Sequence, residues 1–424
     1  MYIKEVELSN VRSIESFKMN FVTPAGWHVI IGDNGAGKST LIKSIALALI
    51  GPKEALGLRH NWSNWLKRDT TEGYVKLHIE QSDGDKHSGR QRRLKNTLIP
   101  NIIDFKKVKP SDIVSISEGV KMTPNPNKYN WGHGSGWFSC AFGPFRRFEG
   151  GNLEWAKVFY AQPKLGAHLS VFGEDVALGE SIEWLVKLRH RQLETNSNHD
   201  TLEHIKTLVN SPDFLPHKAH LSSVSSEGVE FKDGNGSLIS INELSDGYRS
   251  ILSMTFELLR QLSYAYGDAS VFKSIKLGQM TIDVAGVVLV DEIDAHLHPT
   301  WQTRIGEWFT KYFPNMQFIV STHSPLVCRA SNTGSIWQMK NPGSEMNSGE
   351  LTGVARERLI NGNVLDAYGT NAFGENITIS KTGSEKIKRM GALNIRSMLG
   401  KKVSKKDQDE LNKLKEVYPS ESGL

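Results

Sequence analysis

The chain has 424 residues, of which 38% are hydrophobic, so its length allows one large domain or two smaller ones around a substantial core. The 51 basic and 46 acidic side chains leave a net charge of +5, an excess too small to imply a nucleic-acid partner by itself. Two widely separated cysteines, Cys140 and Cys328, exclude a disulfide framework and a zinc-binding spacing. We therefore expect a reducing, cytoplasmic setting.

The opening residues, 1–6, contain no apolar stretch of the kind that forms the centre of a signal peptide. No run elsewhere approaches the roughly 20 consecutive apolar residues that a membrane-spanning helix needs. We therefore expect no membrane partner.

The first two predicted strands cover 2–8 and 26–31, and a glycine-rich loop follows the second. The loop reads Gly-Asp-Asn-Gly-Ala-Gly-Lys-Ser over 32–39, which fits the pattern G-x-x-x-x-G-K-[ST], and an apolar helix is predicted over 40–49. Glycines let backbone N–H groups surround phosphates, the lysine adds a charge beside them, and the serine hydroxyl is a ligand for Mg²⁺. The predicted nucleotide-binding residues are Asn34, Gly35, Ala36, Gly37, Lys38, Ser39 and Thr40.

Beyond the third predicted strand the composition changes. Residues 83–129 are rich in Lys, Arg, Asn, Pro and Gly and include the basic cluster 90–93, so we expect an irregular, partly strand-forming insertion. Apolar residues at helical spacing predict helices over 180–194 and 202–209. The run Asp-Gly-Asn-Gly over 233–236 predicts the turn of a strand pair.

Two acidic residues follow the apolar run 286–290, whose unbroken β-branched composition predicts a central strand of a parallel sheet. A carboxylate at the carboxyl end of such a strand points into the crevice where open α/β sheets bind ligands. Asp291 is therefore predicted to bind Mg²⁺ together with Ser39, and Glu292 is placed to polarise a water molecule that attacks ATP. A further buried strand is predicted over 317–321.

With these two motifs in place, the sequence resembles the ABC ATPase superfamily, on its soluble RecF/SMC-like branch. Four further segments carry the resemblance, namely a signature-like Leu244-Ser245-Asp246-Gly247-Tyr248, a D-loop-like Asp294-Ala295-His296-Leu297-His298-Pro299, a switch-loop-like Thr322-His323-Ser324-Pro325, and the segment 8–13, which resembles the opening of RecF-like heads. The signature of this family usually reads Leu-Ser-Gly-Gly-Gln, so Asp246 and Tyr248 depart from it.

The resemblance implies an α/β fold in which a P-loop core with a parallel sheet and an antiparallel β subdomain carries a helical lobe with the signature motif. It also implies Mg²⁺ as cofactor, ATP as substrate, Asp294 as the D-loop residue, and His323 beside Glu292 in catalysis. The signature residues, Ser245 foremost, would act on the site of a second copy.

The Q-loop glutamine of the family has no secure counterpart in the sequence. Gln81 ends a predicted strand and Gln162 lies in a Tyr-Ala-Gln-Pro turn, and the two remain alternatives. Arg12, in a segment that resembles the opening of RecF-like heads, either approaches the nucleotide or lies on the surface. We interpret His296 and His298 as structural, because no third metal ligand accompanies them.

The motifs divide the chain into four parts. Residues 1–80 form the first part of the ATPase core, 81–240 an inserted lobe with an irregular basic segment followed by helices, 241–340 the second part of the core, and 341–424 a C-terminal helical tail. The lobe contains no sustained heptads, so we expect no SMC-type coiled-coil arm.

In this superfamily the signature of one head completes the P-loop site of another, so the resemblance implies at least a homodimer and leaves a higher oligomer open. The segments 142–148, 168–175 and 364–369 resemble ATPases of bacterial anti-phage systems of the Septu and retron type. Those systems pair the ATPase with a separate effector, often a nuclease. The run Asp407-Gln408-Asp409 lacks the strand-end setting of a two-metal nuclease, so we expect nuclease activity only in a partner.

A RecF-like repair ATPase, which clamps DNA when ATP binds, is the alternative function. The basic clusters 90–93, Arg146-Arg147, and Lys401-Lys402 with Lys405-Lys406 are then candidate phosphate contacts, although solvated surface charge explains each of them equally well. ATP-dependent, salt-sensitive DNA binding would favour repair.

Overall fold

The computed structural model describes residues 1–86, 94, 96–109, 112–132, 136–150, 155, 158, 161–173, 176–195, 201–212, 214–341, 343, 347–363, 381–399 and 404–418. The basic cluster 90–93, the pair 174–175, the segment 364–369 and Lys401-Lys402 lie outside these residues. The chain divides into two compact units, Met1–Gly362 and Asn363–Leu424.

Strands of the first unit form three sheets. The strands are β1 (Tyr2–Val11), β2 (Ile14–Asn20), β3 (Gly26–Ile31), β4 (Glu72–Glu80), β5 (Ile99–Val108), β6 (Ile113–Glu118), β7 (Ser139–Phe142), β8 (His220–Ser225), β9 (Gly228–Lys232), β10 (Leu238–Ser240), β11 (Gly286–Val290), β12 (Met316–Ser321), β13 (Gly334–Gln338) and β14 (Gly349–Glu350). An antiparallel sheet has the order β2-β1-β4-β5-β6, a second has the order β14-β13-β3-β12-β11-β7, and a small third has the order β10-β9-β8.

The second sheet is the core of the unit. Its strands β13, β3, β12, β11 and β7 run parallel to one another, and β14 is antiparallel at one edge. Every residue of β3, β11 and β12 is buried, as expected for apolar strands that are covered on both faces. The carboxyl ends of these strands therefore meet at one edge of the sheet.

The helices differ widely in length. In chain order they are α1 (Lys38–Ile50), α2 (Pro52–Ala55), α3 (Pro163–Gly166), α4 (Glu180–Thr195), α5 (Thr201–Val209), α6 (Asp246–Tyr266), α7 (Asp268–Val271), α8 (Lys273–Lys276), α9 (Pro299–Tyr312), α10 (Gly353–Asn361), α11 (Lys381–Met398) and α12 (Lys405–Val417). Helix α1 contacts β4 and β5 of the antiparallel sheet as well as β7, β11 and β12 of the parallel sheet. Because it lies between two sheets, its apolar residues are buried on all sides rather than along one stripe.

The polar segment 81–129 contributes to the antiparallel sheet rather than standing apart. Strand β5 pairs with β4 along its length, and its buried side chains Ile99, Ile103 and Phe105 join the core. Strand β7, further along the predicted lobe, pairs with β11 of the parallel sheet. Residues between 81 and 240 thus belong partly to both sheets, because strand pairing brings together segments that are distant in sequence.

A buried glutamine connects the antiparallel and parallel sheets. The side-chain amide of Gln317, on β12, accepts a hydrogen bond from the backbone N–H of Ile3 at 2.7 Å. The same amide donates to the backbone carbonyl of Ile3 at 2.9 Å. Gln317 is fully buried, so both of its polar groups need these partners.

The second unit contains the helices α11 and α12, which pack through Met390, Leu393, Leu411 and Leu414. The hydroxyl of Ser404 caps α12 by accepting a hydrogen bond from the N–H of Asp407 at 3.1 Å. The Asp407-Gln408-Asp409 run thus lies near the amino end of a capped helix. Among the described residues, no helix combines the length and the apolar character that crossing a membrane requires.

The predicted α/β fold is confirmed: a parallel-sheet core and an antiparallel sheet are joined to a lobe whose long helix α6 begins at the signature-like motif.

Candidate functional site

The P-loop connects β3 to α1 at the carboxyl edge of the parallel sheet. Gly35 and Gly37 have φ angles of 80° and 99°, which glycine adopts at no steric cost. A side chain at Gly37 would also meet the side chain of Ile14 at 3.2 Å. The exposed Asn34 and Gly35 lie at the tip of the loop, and the buried Thr40 continues it into α1.

Lys38 points back into this loop. Its ammonium group donates hydrogen bonds to the carbonyl oxygens of Gly32 at 2.8 Å and Asp33 at 3.1 Å. Burial lowers the pKa of Lys38, and the carboxylates of Asp291 and Glu292 oppose this shift. The loop therefore holds a buried cation that faces the acidic end of β11.

Asp291 and Ser39 meet at that strand end. The hydroxyl of Ser39 donates a hydrogen bond to Oδ1 of Asp291 at 3.1 Å, and the hydroxyl of Ser321 donates to the same oxygen at 2.5 Å. A carboxylate beside a hydroxyl offers the hard oxygen donors that Mg²⁺ prefers. The described residues contain no group of three or more His, Cys, Asp or Glu side chains that could hold a metal. This donor set fits an ion that is bound partly by the protein and partly by substrate phosphates.

Glu292 has a strained backbone. Its φ angle is 48°, in the left-handed region that costs a non-glycine residue about 1–2 kcal/mol. The N–H of Glu292 donates to the hydroxyl of Ser321 at 2.8 Å, and its carbonyl accepts from the guanidinium of Arg146 at 3.0 Å. These contacts hold the turn in a conformation that the backbone alone disfavours.

The D-loop-like and switch-like segments are hydrogen-bonded to each other. Oδ1 of Asp294 accepts from the hydroxyl of Thr322 at 2.6 Å, and both carboxylate oxygens lie 3.3 Å from the backbone N–H of His323. The His323 side chain is exposed. The carboxylate thus fixes the backbone that carries the imidazole and leaves the ring accessible.

The signature-like motif borders a different cavity. Ser245 is the N-cap of α6, although its side chain makes no capping hydrogen bond, and Leu244 is buried. Ser245, Asp246 and Gly247 line a groove of about 650 Å³, which contains no P-loop residue. Its other lining residues are Pro216, His217, Tyr248, His296, His298, Thr300 and Trp301. Gly247 packs so closely that a Cβ atom would lie 2.9 Å from the carbonyl oxygen of His296.

The two candidate Q-loop residues lie elsewhere. The side chain of Gln81 accepts a hydrogen bond from the N–H of Leu94 at 2.7 Å, and Gln81 lines a cavity with Ala285, which precedes β11. This is the amino edge of the parallel sheet, opposite Asp291. Gln162 contacts Gly57, where an added Cβ atom would lie 2.6 Å from its side-chain oxygen.

Arg12 lies on the P-loop side of the antiparallel sheet. Its guanidinium is 4.4 Å from the ring centroid of Trp65, and partial burial lowers the pKa of Arg12. The next residue, Ser13, borders Gly37, where an added Cβ atom would lie 3.4 Å from the Ser13 hydroxyl. Arg12 is therefore close to the nucleotide loop and stacked on an aromatic ring.

The sequence did not predict the buried role of Arg146, which follows β7. Its guanidinium is buried and donates to the carbonyl oxygens of Gly143 and Asp291, both at 2.9 Å, and of Glu292. Burial lowers the pKa of Arg146 to about 10, so the side chain keeps its charge at neutral pH. Both alternatives given by the sequence for Arg146, a contact to DNA phosphates and solvated surface charge, are wrong, because the side chain is buried and its donors are used inside the protein. The available signal was its place in the Phe-Gly-Pro-Phe-Arg run directly after an apolar strand.

The fold and these motifs resemble those of ABC-type ATPase heads of the soluble RecF/SMC-like branch. Residues 145–329 match the family model described as "AAA domain, putative AbiEii toxin, Type IV TA system", and residues 5–130 match a model described as "AAA domain". Both descriptions are consistent with the ATPase motifs in the sequence.

The chain is similar to a Septu protein and to a probable ATPase of a retron. It is 24% identical over 343 residues to Septu protein PtuA of Bacillus mycoides (strain KBAB4), an alignment that covers 79% of this chain and 40% of that relative. It is also 24% identical over 398 residues to the Retron Ec83 probable ATPase of Escherichia coli, with 80% of this chain and 71% of that relative covered. These relatives confirm the predicted resemblance to Septu-type and retron-associated ATPases.

The chain spans 40% of the length of the Bacillus mycoides relative. Among solved structures, the SMC head domain from Thermotoga maritima superposes with a TM-score of 0.42 at 14% identity, and 83% of this chain and 99% of that chain are covered.

Proposed function

We propose that this chain hydrolyses ATP at sites shared between two of its copies, and that this cycle controls a separate effector in bacterial anti-phage defence. The observation that carries the proposal is the meeting of Lys38, the Ser39–Asp291 pair and the strained Glu292 at one sheet edge, while Ser245 borders another groove. We place the protein in the cytoplasm.

Nucleotide binding begins with the P-loop. Phosphate oxygens replace the carbonyl groups of Gly32 and Asp33 as acceptors for Lys38, and the loop N–H groups and the start of α1 provide further donors. Ser39 and Asp291 would hold Mg²⁺, which neutralises phosphate charge when it is bound. The binding energy thus comes from groups that are already buried and oriented.

Hydrolysis requires an oriented water molecule. Glu292 polarises this water for attack on the γ-phosphate, and the accessible ring of His323 orients it and contacts the phosphate. Asp294 acts on this step indirectly, since its carboxylate holds the Thr322–His323 backbone. Each of these roles depends on backbone positions at the ends of β11 and β12.

The second copy supplies the signature motif. Ser245 and the amino end of α6 offer a hydroxyl and unpaired N–H groups, which suit a γ-phosphate. The groove of Ser245 contains no P-loop residue of its own copy. The nucleotide bound to the P-loop of the same chain therefore does not place a phosphate in this groove. Pairing of two heads would complete two equivalent sites, and ATP would stabilise the pair until hydrolysis.

The effector belongs to a separate protein in this proposal. Relatives named Septu protein PtuA and Retron Ec83 probable ATPase support a place in such systems. In the described part of the chain no cluster of acidic or histidine side chains suits a two-metal nuclease, and the Asp407 carboxylate accepts hydrogen bonds from Ser404 and Arg389. We therefore assign nuclease activity, where the system has it, to the partner.

Glu292→Gln tests the ATPase and pairing steps together. The variant should bind ATP with near-normal affinity, lose hydrolysis and accumulate as an ATP-dependent dimer in light-scattering measurements. Glu307→Gln, an exposed change on α9, is the matched control and should behave like wild type. Hydrolysis that survives in Glu292→Gln would reject the assignment of this carboxylate.

Purification of the chain with the products of its neighbouring genes tests effector control. ATP should change the activity or the release of the co-purified protein. The Glu292→Gln variant, which does not hydrolyse ATP, should hold that protein in its ATP-induced state. A chain that instead binds DNA alone, in an ATP-dependent and salt-sensitive way, would support a RecF-like clamp.

A further inference from the structure

Arg146 is an unusual buried cation, because its hydrogen-bond acceptors are neutral. Its guanidinium donates to backbone carbonyl oxygens and to one serine hydroxyl, and it is 5% exposed. Burial disfavours this charge, and the nearby carboxylates of Asp294, Asp291 and Glu292 favour it, so the cation belongs electrostatically to the acidic end of β11.

One side of the guanidinium holds the catalytic turn. Arg146 donates to the successive carbonyl oxygens of Asp291, Glu292 and Ile293 at 2.9, 3.0 and 3.4 Å. This turn contains the left-handed φ of Glu292. Three aligned carbonyl dipoles stabilise the cation, and the cation in turn keeps the three carbonyl groups pointing in one direction. The orientation of the Glu292 side chain follows from this backbone arrangement.

The other side of the guanidinium reaches the signature helix. Nε of Arg146 donates to the hydroxyl of Ser250 at 3.0 Å. Ser250 is buried on α6, five residues after Ser245 at its amino end. Because a helix moves as a rigid rod over a few turns, a shift of its amino end displaces the hydroxyl of Ser250.

We propose that Arg146 is a positioning residue that couples engagement of the signature helix to the orientation of Glu292. A phosphate seated on Ser245 by a second copy shifts α6, and the Ser250–Arg146 contact transmits this shift to the Asp291–Ile293 carbonyl groups. The carboxylate then reaches its hydrolytic position when two heads are paired. This inference rests on the proposed pairing of heads and adds the pathway by which pairing activates the carboxylate.

Ser250→Ala is the sharpest test, because it removes one end of the contact and leaves the Arg146 hydrogen bonds to the catalytic turn in place. Its kcat for ATP hydrolysis should fall about tenfold, with KM and the Kd for a fluorescent ATP analogue changed less than about twofold. Arg146→Lys keeps the charge but lacks the planar guanidinium that bonds to several carbonyl groups at once, so its kcat should fall further. A normal melting temperature will show that each variant is folded.

Ser253→Ala is the matched control. Ser253 is buried one turn further along α6, and its hydroxyl donates to the backbone carbonyl of Ser250 at 3.1 Å rather than to Arg146. It should hydrolyse ATP like wild type. To measure pairing separately, Ser250→Ala is combined with Glu292→Gln, and the double variant should still dimerise with ATP.

The outcomes distinguish the inference from the proposed function. Equal kcat in Ser250→Ala and Ser253→Ala, with a wild type that hydrolyses ATP and a Glu292→Gln variant that dimerises, overturns the coupling alone. Parallel losses of ATP affinity and kcat in Ser250→Ala assign Ser250 a structural role and also overturn it. A wild type without hydrolysis, or a Glu292→Gln variant that never dimerises, rejects the proposed function and the coupling with it.

Discussion

Asp294 accepts a hydrogen bond from the hydroxyl of Thr322 at 2.6 Å, so the segment after β11 is held against the segment after β12. The same carboxylate lies 3.3 Å from the N–H of His323. A single side chain thereby sets the distance between Glu292 and His323, the two residues proposed to act on the attacking water.

Thr322→Val removes this hydroxyl at nearly constant volume. We expect kcat to fall about tenfold while ATP affinity stays within about twofold, because the half-buried carboxylate loses its shortest hydrogen bond and the His323 backbone loses its position. Steady-state kinetics and ATP titration will measure both quantities. Thr303→Val changes a half-buried threonine on α9 whose hydroxyl donates to the Thr300 carbonyl, and it is the control; equal kcat in the two variants would argue against a positioning role for Asp294.

Shared sites predict complementation between two inactive variants. Lys38→Ala should lose ATP binding, and Ser245→Arg should bind ATP but fail to pair. In an equal mixture only mixed pairs contain a site with an intact Lys38 and an intact Ser245, one of the two sites in each pair, so activity should recover to at most about half of wild type. Activity measured against mixing ratio is the readout, and a mixture that stays inactive at all ratios contradicts sites built from two copies.

Asp291→Asn tests the Mg²⁺ assignment. The amide keeps the size of the carboxylate and the proximity to Ser39 but lacks the negative charge that binds a divalent cation. Wild type should bind an ATP analogue much more tightly with Mg²⁺ than with a chelator, whereas the variant should bind equally in both. A variant with the full wild-type response to Mg²⁺ would place the ion elsewhere.

The buried His28 makes the free energy of unfolding depend on pH. Burial lowers the pKa of His28 from its ordinary value of 6.5 to about 4, and both ring nitrogens have partners, the Ser335 hydroxyl and the Pro24 carbonyl oxygen at 2.8 Å each. Because the folded state favours the neutral ring, its stabilising contribution is complete above pH 6.5 and is lost as the pH falls toward 4. The loss is about 3 kcal/mol over that window.

Chemical denaturation at pH 7.5, 6 and 5 will measure this effect. His28→Gln should lower the free energy of unfolding at pH 7.5 but should show a shallower decline on acidification than wild type. His190→Gln, an exposed substitution on α4, should decline in parallel with wild type. Parallel declines in all three proteins would assign the acid sensitivity to other groups.

The sequence predicted the elements that are encoded locally. The P-loop, the acidic end of β11 and the signature-like start of α6 each lie within a few consecutive residues, so their patterns are visible without a structure. The membership of β5 in the antiparallel sheet was not visible, since the polar composition of 83–129 conceals a short alternation at Ile99, Ile103 and Phe105. Arg146 was missed for a related reason, because its acceptors lie more than a hundred residues away in sequence.

The pairing of Gln317 with Ile3 has a mechanical consequence. The side-chain amide of Gln317 bonds to both backbone groups of Ile3, so it links the parallel sheet, which bears the P-loop, to the antiparallel sheet. Helix α1 is enclosed between the same two layers, so the nucleotide cradle has little freedom to deform. Motion during an ATP cycle would then be concentrated where the lobe that carries α6 joins the two sheets. The two sheets, with α1 between them, would stay rigid while that lobe moves.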